Sequence, residues 1–231
     1  MGFFTKYKAR KALLLQSKGQ AAEAESLYEK AIEEGLNSAR YLLAYSVMLI
    51  KKFDFEKAKK IILLAEKAPD LSNDQKRQIY INYAICLFKS GESDKAIKLL
   101  EKEHRNRTSG LLQQTLGYFY VENGDFDKAY EFIMEALDYD SEDAIVLDNM
   151  AQYYYRKPDP DKEKAKEYFE MALERRPKQI DTLYFLSLYD IENGDTEAAK
   201  VKIQTALNGN FSPLNYAQKD TLTKLLHSLE K

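Results

Sequence analysis

The sequence predicts an all-α protein made of antiparallel helix-turn-helix repeats that stack on one another. Three observations support this fold class: a turn followed by an Ala-led amphipathic run occurs six times, small residues recur before each turn, and no segment has a convincing strand pattern. The recurring alanines are Ala24, Ala58, Ala96, Ala129, Ala165 and Ala199. Successive alanines lie 34, 38, 33, 36 and 34 residues apart, and a period near 34 is the length of one helix-turn-helix unit.

The segment after each turn is predicted to be the second helix of its unit. Its apolar residues recur at helical spacing, as in Ala129, Ile133 and Ala136, or in Ala165, Phe169 and Ala172. Residues three or four positions apart lie on the same face of a helix, so each run presents one apolar face.

The segment before each turn is predicted to be the first helix, and it carries a small residue at a matching place. These small residues are Ala12, Ser46, Ala84, Gly117, Ala151 and Ser187. Two helix backbones approach closely only where neither carries a bulky side chain. Small residues in both helices therefore favour tight antiparallel packing within each unit.

The fourth and fifth units carry the fullest motif. The fourth has Leu116-Gly117, Tyr120, Ala129 and Ile133, and the fifth has Met150-Ala151, Tyr154, Ala165, Phe169 and Pro177. This pattern resembles the tetratricopeptide repeat (TPR) family over roughly residues 5 to 213. Gln113 departs from the Trp of the motif, and Phe53 replaces a turn glycine. The resemblance implies a right-handed α-solenoid.

We expect the whole chain, 1–231, to form a single solenoid domain. The predicted repeats are 5–38, 39–72, 77–110, 110–143, 144–179 and 180–213, followed by a capping helix over 214–231. Leucines at helical spacing after Pro213 predict that last helix, which would cover the exposed end of the final repeat. Two prolines within 157–161 predict a lengthened turn in the fifth repeat.

Composition and charge narrow the class of protein. With 35 Lys plus Arg against 37 Asp plus Glu, the net charge of −2 gives no general attraction to nucleic acid. The sequence shows neither a secretory signal nor an apolar run of membrane-spanning length. Cys86 is the only cysteine, which excludes an intramolecular disulfide and a thiolate metal cage. We expect a cytoplasmic protein in which Cys86 is a buried, inert thiol.

The residues that enzymes commonly use are sparse. The two histidines, His104 and His227, lie far apart and lack metal-ligand spacing. No glycine-rich phosphate loop follows a strand, because no strand is predicted. The sequence therefore predicts a protein that is not an enzyme and that needs neither a cofactor nor a metal.

Binding of another polypeptide is the function that the resemblance implies. In TPR proteins the first helices line the concave face of the stack, and here a second, largely apolar stripe follows the core stripe on those helices. The candidate peptide-binding residues are Leu43, Val47, Ile50, Ile81, Asn82, Ile85, Phe88, Gln114, Tyr118, Val121, Asn149, Gln152, Tyr155, Tyr184 and Leu188. Asn82 and Asn149 occupy equivalent places, and an amide can pair with both the C=O and the N–H of a bound peptide backbone.

Two alternatives to a free groove remain open at this stage. Adjacent helices or the C-terminal helix of the same chain could bury the second stripe, and a second copy of the chain could cover it. The leading hypothesis is an interaction scaffold or adaptor that binds a peptide or helix of a partner protein. The other is a structural subunit that forms a homo-oligomer through its repeat surfaces.

The N-terminal segment holds the one visible charge asymmetry. Lys6, Lys8, Arg10, Lys11 and Lys18 all precede the first acidic residue, Glu23. Such a basic cluster suits contact with an anionic lipid surface or an acidic partner. The pattern is more typical of the solvated face of a first helix, which is the interpretation favoured by the sequence.

Overall fold

The computed structural model describes residues 2–230, and within that range the backbone forms thirteen α-helices and no strand. The all-α class predicted from the sequence is confirmed. The helices are α1 Phe3–Ser17, α2 Ala21–Glu33, α3 Ala39–Lys51, α4 Phe55–Glu66, α5 Asn73–Lys89, α6 Ser93–Asn106, α7 Gly110–Asn123, α8 Phe126–Tyr139, α9 Ala144–Arg156, α10 Lys162–Arg175, α11 Ile180–Glu192, α12 Thr196–Leu207 and α13 Lys219–Ser228.

The helices fall into two compact units, one ending at Arg105 and the other beginning at Asn106. In the first unit α1 packs on α2 and α3 packs on α4. Among the first helices of this unit, α1 contacts α3 and α3 contacts α5. In the second unit the pairs are α7 with α8, α9 with α10, and α11 with α12. Each predicted repeat contains two helices, although α5 begins at Asn73, ahead of the predicted start at 77. The single-domain organisation stays a prediction.

The small residues that predicted the repeats lie at the helix-helix contacts. All six recurring alanines of the second helices are completely buried, and so are the small side chains at Ala12, Ser46 and Ala151 in the first helices. At Gly117 in α7 an added Cβ would lie 2.5 Å from Ile133 Cγ1 in α8. Helices α7 and α8 can therefore approach this closely only because residue 117 has no side chain.

Five of the turns between first and second helices share one backbone geometry. Gly19, Gly91, Gly124 and Gly194 have positive φ angles, as a helix-ending left-handed residue requires. Phe53 takes the same conformation at φ 62° in the turn between α3 and α4. Left-handed backbone crowds the Cβ of a non-glycine residue. The turn geometry is thus kept in this repeat at a cost in strain.

An aspartate begins the second helix of four repeats. Asp54, Asp125, Asp161 and Asp195 each accept a hydrogen bond from a backbone N–H three residues later. This contact satisfies one of the free N–H groups in the first turn, and the negative charge suits the positive end of the helix dipole. The aspartate that ends the turn, after a glycine in two of these repeats, thus fixes where the second helix starts.

The closing helix is shorter than the predicted 214–231. Helix α13 runs from Lys219 to Ser228, and residues 214–218 precede it without helical structure. The reason is a contact that the apolar pattern does not show: the Asp181 carboxylate accepts from the Ala217 backbone N–H at 3.0 Å and from Asn215 Nδ2 at 3.1 Å. Leu222 of α13 still packs against the last repeat.

Candidate functional site

The site residues predicted in the first unit lie on α3 and α5, and most are buried. Leu43 and Ile50 on α3 and Ile81, Asn82 and Ile85 on α5 are each less than one tenth exposed. Packing of α3 against α5 covers them, because neighbouring first helices contact each other along the stack. Val47 and Phe88 complete the predicted set in this unit, and both are half-buried.

The site residues predicted in the second unit divide in the same way. Gln114, Tyr118 and Val121 on α7 are buried, as are Asn149 and Gln152 on α9. Tyr155 on α9 and Tyr184 and Leu188 on α11 keep part of their surface exposed. Of the fifteen predicted residues, then, ten are buried by adjacent helices and five retain accessible surface.

The two equivalent asparagines form hydrogen bonds between repeats. Asn82 Nδ2 donates to Ser46 Oγ at 3.4 Å, and its Oδ1 accepts from Gln78 Nε2 at 2.7 Å. Asn149 Nδ2 donates to the Gln114 carbonyl oxygen at 3.1 Å. Both amides thus link one first helix to its predecessor, which accounts for their equivalent places in the repeat.

An aromatic cluster surrounds the exposed tyrosines of the second unit. The ring centroid of Phe185 lies 4.9 Å from that of Tyr155, 4.9 Å from that of Phe169 and 5.1 Å from that of Tyr216. Tyr184 lies 5.2 Å from Phe185. The rings meet in tilted, edge-on and stacked arrangements of the kind that aromatic side chains favour. Together they form a surface that is apolar at its base and carries tyrosine hydroxyls.

Tyr216 is a member of this cluster that the sequence pattern does not indicate. It lies in the non-helical segment 214–218, within the predicted closing helix 214–231, and the hydrogen bonds that this segment donates to Asp181 hold it in place. The Arg156 guanidinium lies 4.5 Å from the Tyr216 ring centroid, within the range of a cation–π contact. Tyr216 therefore adds an exposed ring beside α9 and α11.

A polar network lies next to the aromatic cluster. Arg156 at the end of α9 forms an ion pair with Glu122 of α7 and donates to Gln152 Oε1 at 3.3 Å. Gln152 Nε2 in turn donates to Asp148 Oδ2 at 2.7 Å, and Thr182 Oγ1 donates to Asp148 Oδ1 at 2.5 Å. The network connects the first helices α7, α9 and α11: Glu122 comes from α7, Thr182 from α11, and the other three residues from α9.

Two buried carboxyls, one in this network and one near it, are electrostatically unfavourable as charges. Asp148 and Asp181 are 3% and 6% exposed. Burial raises the pKa of both carboxyls, and the proximity of Asp181 raises the pKa of Asp148 further. The hydrogen bonds that each carboxyl accepts offset part of that effect. In the folded protein, Asp148 thus keeps its proton to a higher pH than a solvent-exposed aspartate does.

The remaining chemistry-bearing groups do not converge. Cys86 is buried, and burial raises the pKa of its thiol to about 12, which suppresses the reactive thiolate at neutral pH. Within residues 2–230 no group of three His, Cys, Asp or Glu side chains is arranged to hold a metal ion. The geometry of the second unit is suited instead to contact with another molecule through tyrosines and an arginine.

Two stretches of the chain match models of repeat families. Residues 112–143 match a family model described as tetratricopeptide repeat, and residues 7–47 match one described as tetratrico peptide repeat. A TPR repeat-containing protein of Dictyostelium discoideum is 33% identical over 140 residues, which make up 57% of this chain and 52% of that protein. The chain thus spans about half the length of this curated relative.

Solved structures of other proteins have folds similar to that of this chain. YrrB, a TPR protein with an unusual peptide-binding site, is 20% identical with a TM-score of 0.51, over 76% of this chain and 88% of that one. NprR in complex with its cognate peptide NprX is 18% identical with a TM-score of 0.59, over 100% of this chain and 72% of that one. At these identities the likeness shows the fold.

In the part of the chain that the structure describes, no helix is long and apolar enough to cross a bilayer. Paired helices with buried alanines at their contacts run through both units, and a stretch of each unit matches a repeat model. These findings, with the curated relative, support membership of the chain in the tetratricopeptide repeat family.

Proposed function

We propose that this protein is a non-enzymatic interaction scaffold that binds a polypeptide segment on the first helices of its second unit. The observation that carries the proposal is the surface formed by Tyr155, Tyr184 and Tyr216 around Arg156, which we name the tyrosine surface. Tyrosine and arginine are the residue types that dominate binding energy at protein interfaces. Among the similar structures, YrrB is a TPR protein with an unusual peptide-binding site, and NprR is in complex with its cognate peptide NprX.

The chemistry of the tyrosine surface defines the segment it suits. Tyrosine rings offer apolar area, and their hydroxyls hydrogen-bond to a peptide backbone at little conformational cost. Arg156 already pairs with Glu122 and lies against the Tyr216 ring, so its position is fixed before a partner arrives. We infer that the partner segment carries an apolar or aromatic side chain for the tyrosines and a backbone or carboxylate oxygen for Arg156.

The half-buried residues of the first unit form a separate and weaker candidate contact. Val47 and Phe88 lie on first helices of that unit and would offer apolar contact to a peptide there. The ten buried residues of the predicted set would support the first helices of the unit in which each lies. Truncating a buried member would lower stability as well as affinity, so only the exposed members test binding.

The experiment selects ligands first and then asks where they bind. A random-peptide library is selected on the full chain, and affinities of the recovered peptides are measured by calorimetry for wild type, Tyr155→Ala and Tyr184→Ala. We expect each variant to lose about tenfold or more in affinity, as removal of an interface anchor does. Tyr139→Ala is the matched control, because Tyr139 is a 74% exposed tyrosine on the second helix α8.

If the selected peptides bind wild type, Tyr155→Ala and Tyr184→Ala with equal affinity, the proposed location of the binding site is wrong. Loss of affinity in the Tyr139 control as well would show binding to another face. Circular dichroism of each variant excludes loss of the fold as the cause.

A further inference from the structure

Helix α1 presents an exposed face that combines aromatic and cationic side chains. Phe3 is 81% exposed, Phe4 74%, Tyr7 59% and Leu14 54%. The opposite side of the helix is buried through Thr5, Ala9 and Ala12. Phe3, Tyr7 and Leu14 recur at spacings of four and seven residues, which places them on one side of a helix. The packing of α1 within the first unit thus leaves its bulkiest side chains in solvent.

Cations flank these rings, and they are not neutralised. Lys6, Arg10, Lys11 and Lys18 are exposed, and within residues 2–230 none of them forms an ion pair. Lys8, by contrast, is paired with Glu34 of α2. Helix α1 contains no acidic residue. The exposed face therefore carries uncompensated positive charge around an apolar centre.

We propose that this face of α1 docks on the surface of an anionic lipid bilayer. Aromatic rings partition into the boundary between headgroups and acyl chains, while long Lys and Arg side chains extend to the anionic headgroups. The exposed Phe rings thus suit the acyl-chain side of that boundary, and the unpaired cations suit its headgroup side. Tyr7 adds a ring with a polar tip, which suits the same depth.

Charge decides between a lipid surface and a second copy of the chain as the occupant. A symmetric dimer through this face would bring the same set of cations from two copies together. Like charges at such an interface repel, whereas anionic headgroups attract every one of them. An anionic bilayer is thus the occupant that the α1 face fits.

The first measurement uses the absence of tryptophan from the sequence. Phe3→Trp introduces a single fluorophore on the α1 face, and Tyr139→Trp introduces one at an equally exposed site on α8. The full chain is mixed with phosphatidylcholine vesicles containing about 30 mol% phosphatidylserine, or with pure phosphatidylcholine vesicles. We expect a blue shift of Trp emission for the residue-3 variant with anionic vesicles alone, and no shift for the residue-139 variant.

The second measurement separates the α1 face from general charge. Lys6→Glu, Arg10→Glu and Lys11→Glu are combined, and the matched control combines Lys60→Glu, Lys67→Glu and Lys76→Glu at exposed positions of the same unit. In co-sedimentation with anionic vesicles we expect the α1 variant to lose at least about tenfold in binding and the control less than about threefold. Circular dichroism checks that both remain helical.

Three results would overturn the proposal. Wild type could fail to sediment with anionic vesicles, or the two triple variants could lose binding equally. Alternatively, sedimentation equilibrium could show a concentration-dependent mass that the α1 variant abolishes, which would assign the face to a contact between copies. None of these results bears on the tyrosine surface, which lies in the other unit.

Discussion

Replacing the buried Asp148 by Asn should change how the stability of the protein depends on pH. Asp148 is 3% exposed, its hydrogen-bond donors Thr182 and Gln152 are neutral, and burial with the nearby Asp181 raises its pKa from 3.8. The folded state therefore holds a proton that the unfolded state releases. That contribution to stability is complete below pH 3.8 and is lost as the pH rises through the raised pKa.

The size of the effect follows from proton linkage. One extra proton bound by the folded state makes the free energy of unfolding fall by about 1.4 kcal/mol per pH unit in the window between the two pKa values. Asn keeps an oxygen that accepts from Thr182 and removes the ionisable group, but its Nδ2 replaces the oxygen that accepts from Gln152. This lost hydrogen bond costs the same at every pH, so the test is the pH dependence. We expect the stability of Asp148→Asn relative to wild type to rise by roughly 1–3 kcal/mol between about pH 5 and about pH 8.

Urea denaturation followed by circular dichroism between about pH 5 and about pH 8 measures this dependence. Asp159→Asn is the control, since it removes an exposed carboxyl from the turn before α10 and should leave the pH profile unchanged. A variant that is destabilised equally at every pH would refute the reasoning. It would show that Asp148 is ionised and held by its hydrogen bonds in the folded protein.

Two further substitutions test the packing and the turns. Gly117→Ala should destabilise the protein by up to about 2 kcal/mol, because overpacking against Ile133 Cγ1, 2.5 Å away, costs about 1–3 kcal/mol while the helix gains about 1 kcal/mol from alanine. In an Ile133→Ala background, urea denaturation should show no such penalty. A penalty that persists in that background would contradict the clash. Phe53→Gly should stabilise by about 1 kcal/mol through relief of the left-handed strain at φ 62°. Phe53→Ala keeps the Cβ and the strain, so a thermal midpoint raised equally by both substitutions would argue against this explanation.

The repeat architecture could be predicted from the sequence because it depends on local patterns. The period near 34, the alanine of each second helix and the glycine of most turns are all determined by neighbours within one repeat. Phe53 shows the strength of the pattern, since its turn keeps the left-handed geometry without a glycine. The second apolar stripe was also visible in the sequence. Whether it faced solvent depended on how closely successive first helices approach.

The candidate site could be predicted only in part. Tyr155, Tyr184 and Leu188 were selected from their spacing, and they retain exposed surface. Asn82 and Asn149 were selected by the same rule, yet they bond to Ser46 and to the Gln114 carbonyl in preceding repeats. Helical spacing identifies a face, and it carries no information about the distance to the next helix along the stack. The exposure of a stripe therefore could not be read from its period.

The sequence by itself determined that the chain forms helix pairs with small residues at their contacts, and that its first 22 residues contain cations without acids. Only the tertiary structure brought the buried carboxyls of Asp148 and Asp181 near each other and held Tyr216 beside Arg156. The reason is the range of the interactions. Helix periodicity arises from residues three and four positions apart, whereas Asp181 contacts Ala217 across 36 residues of chain.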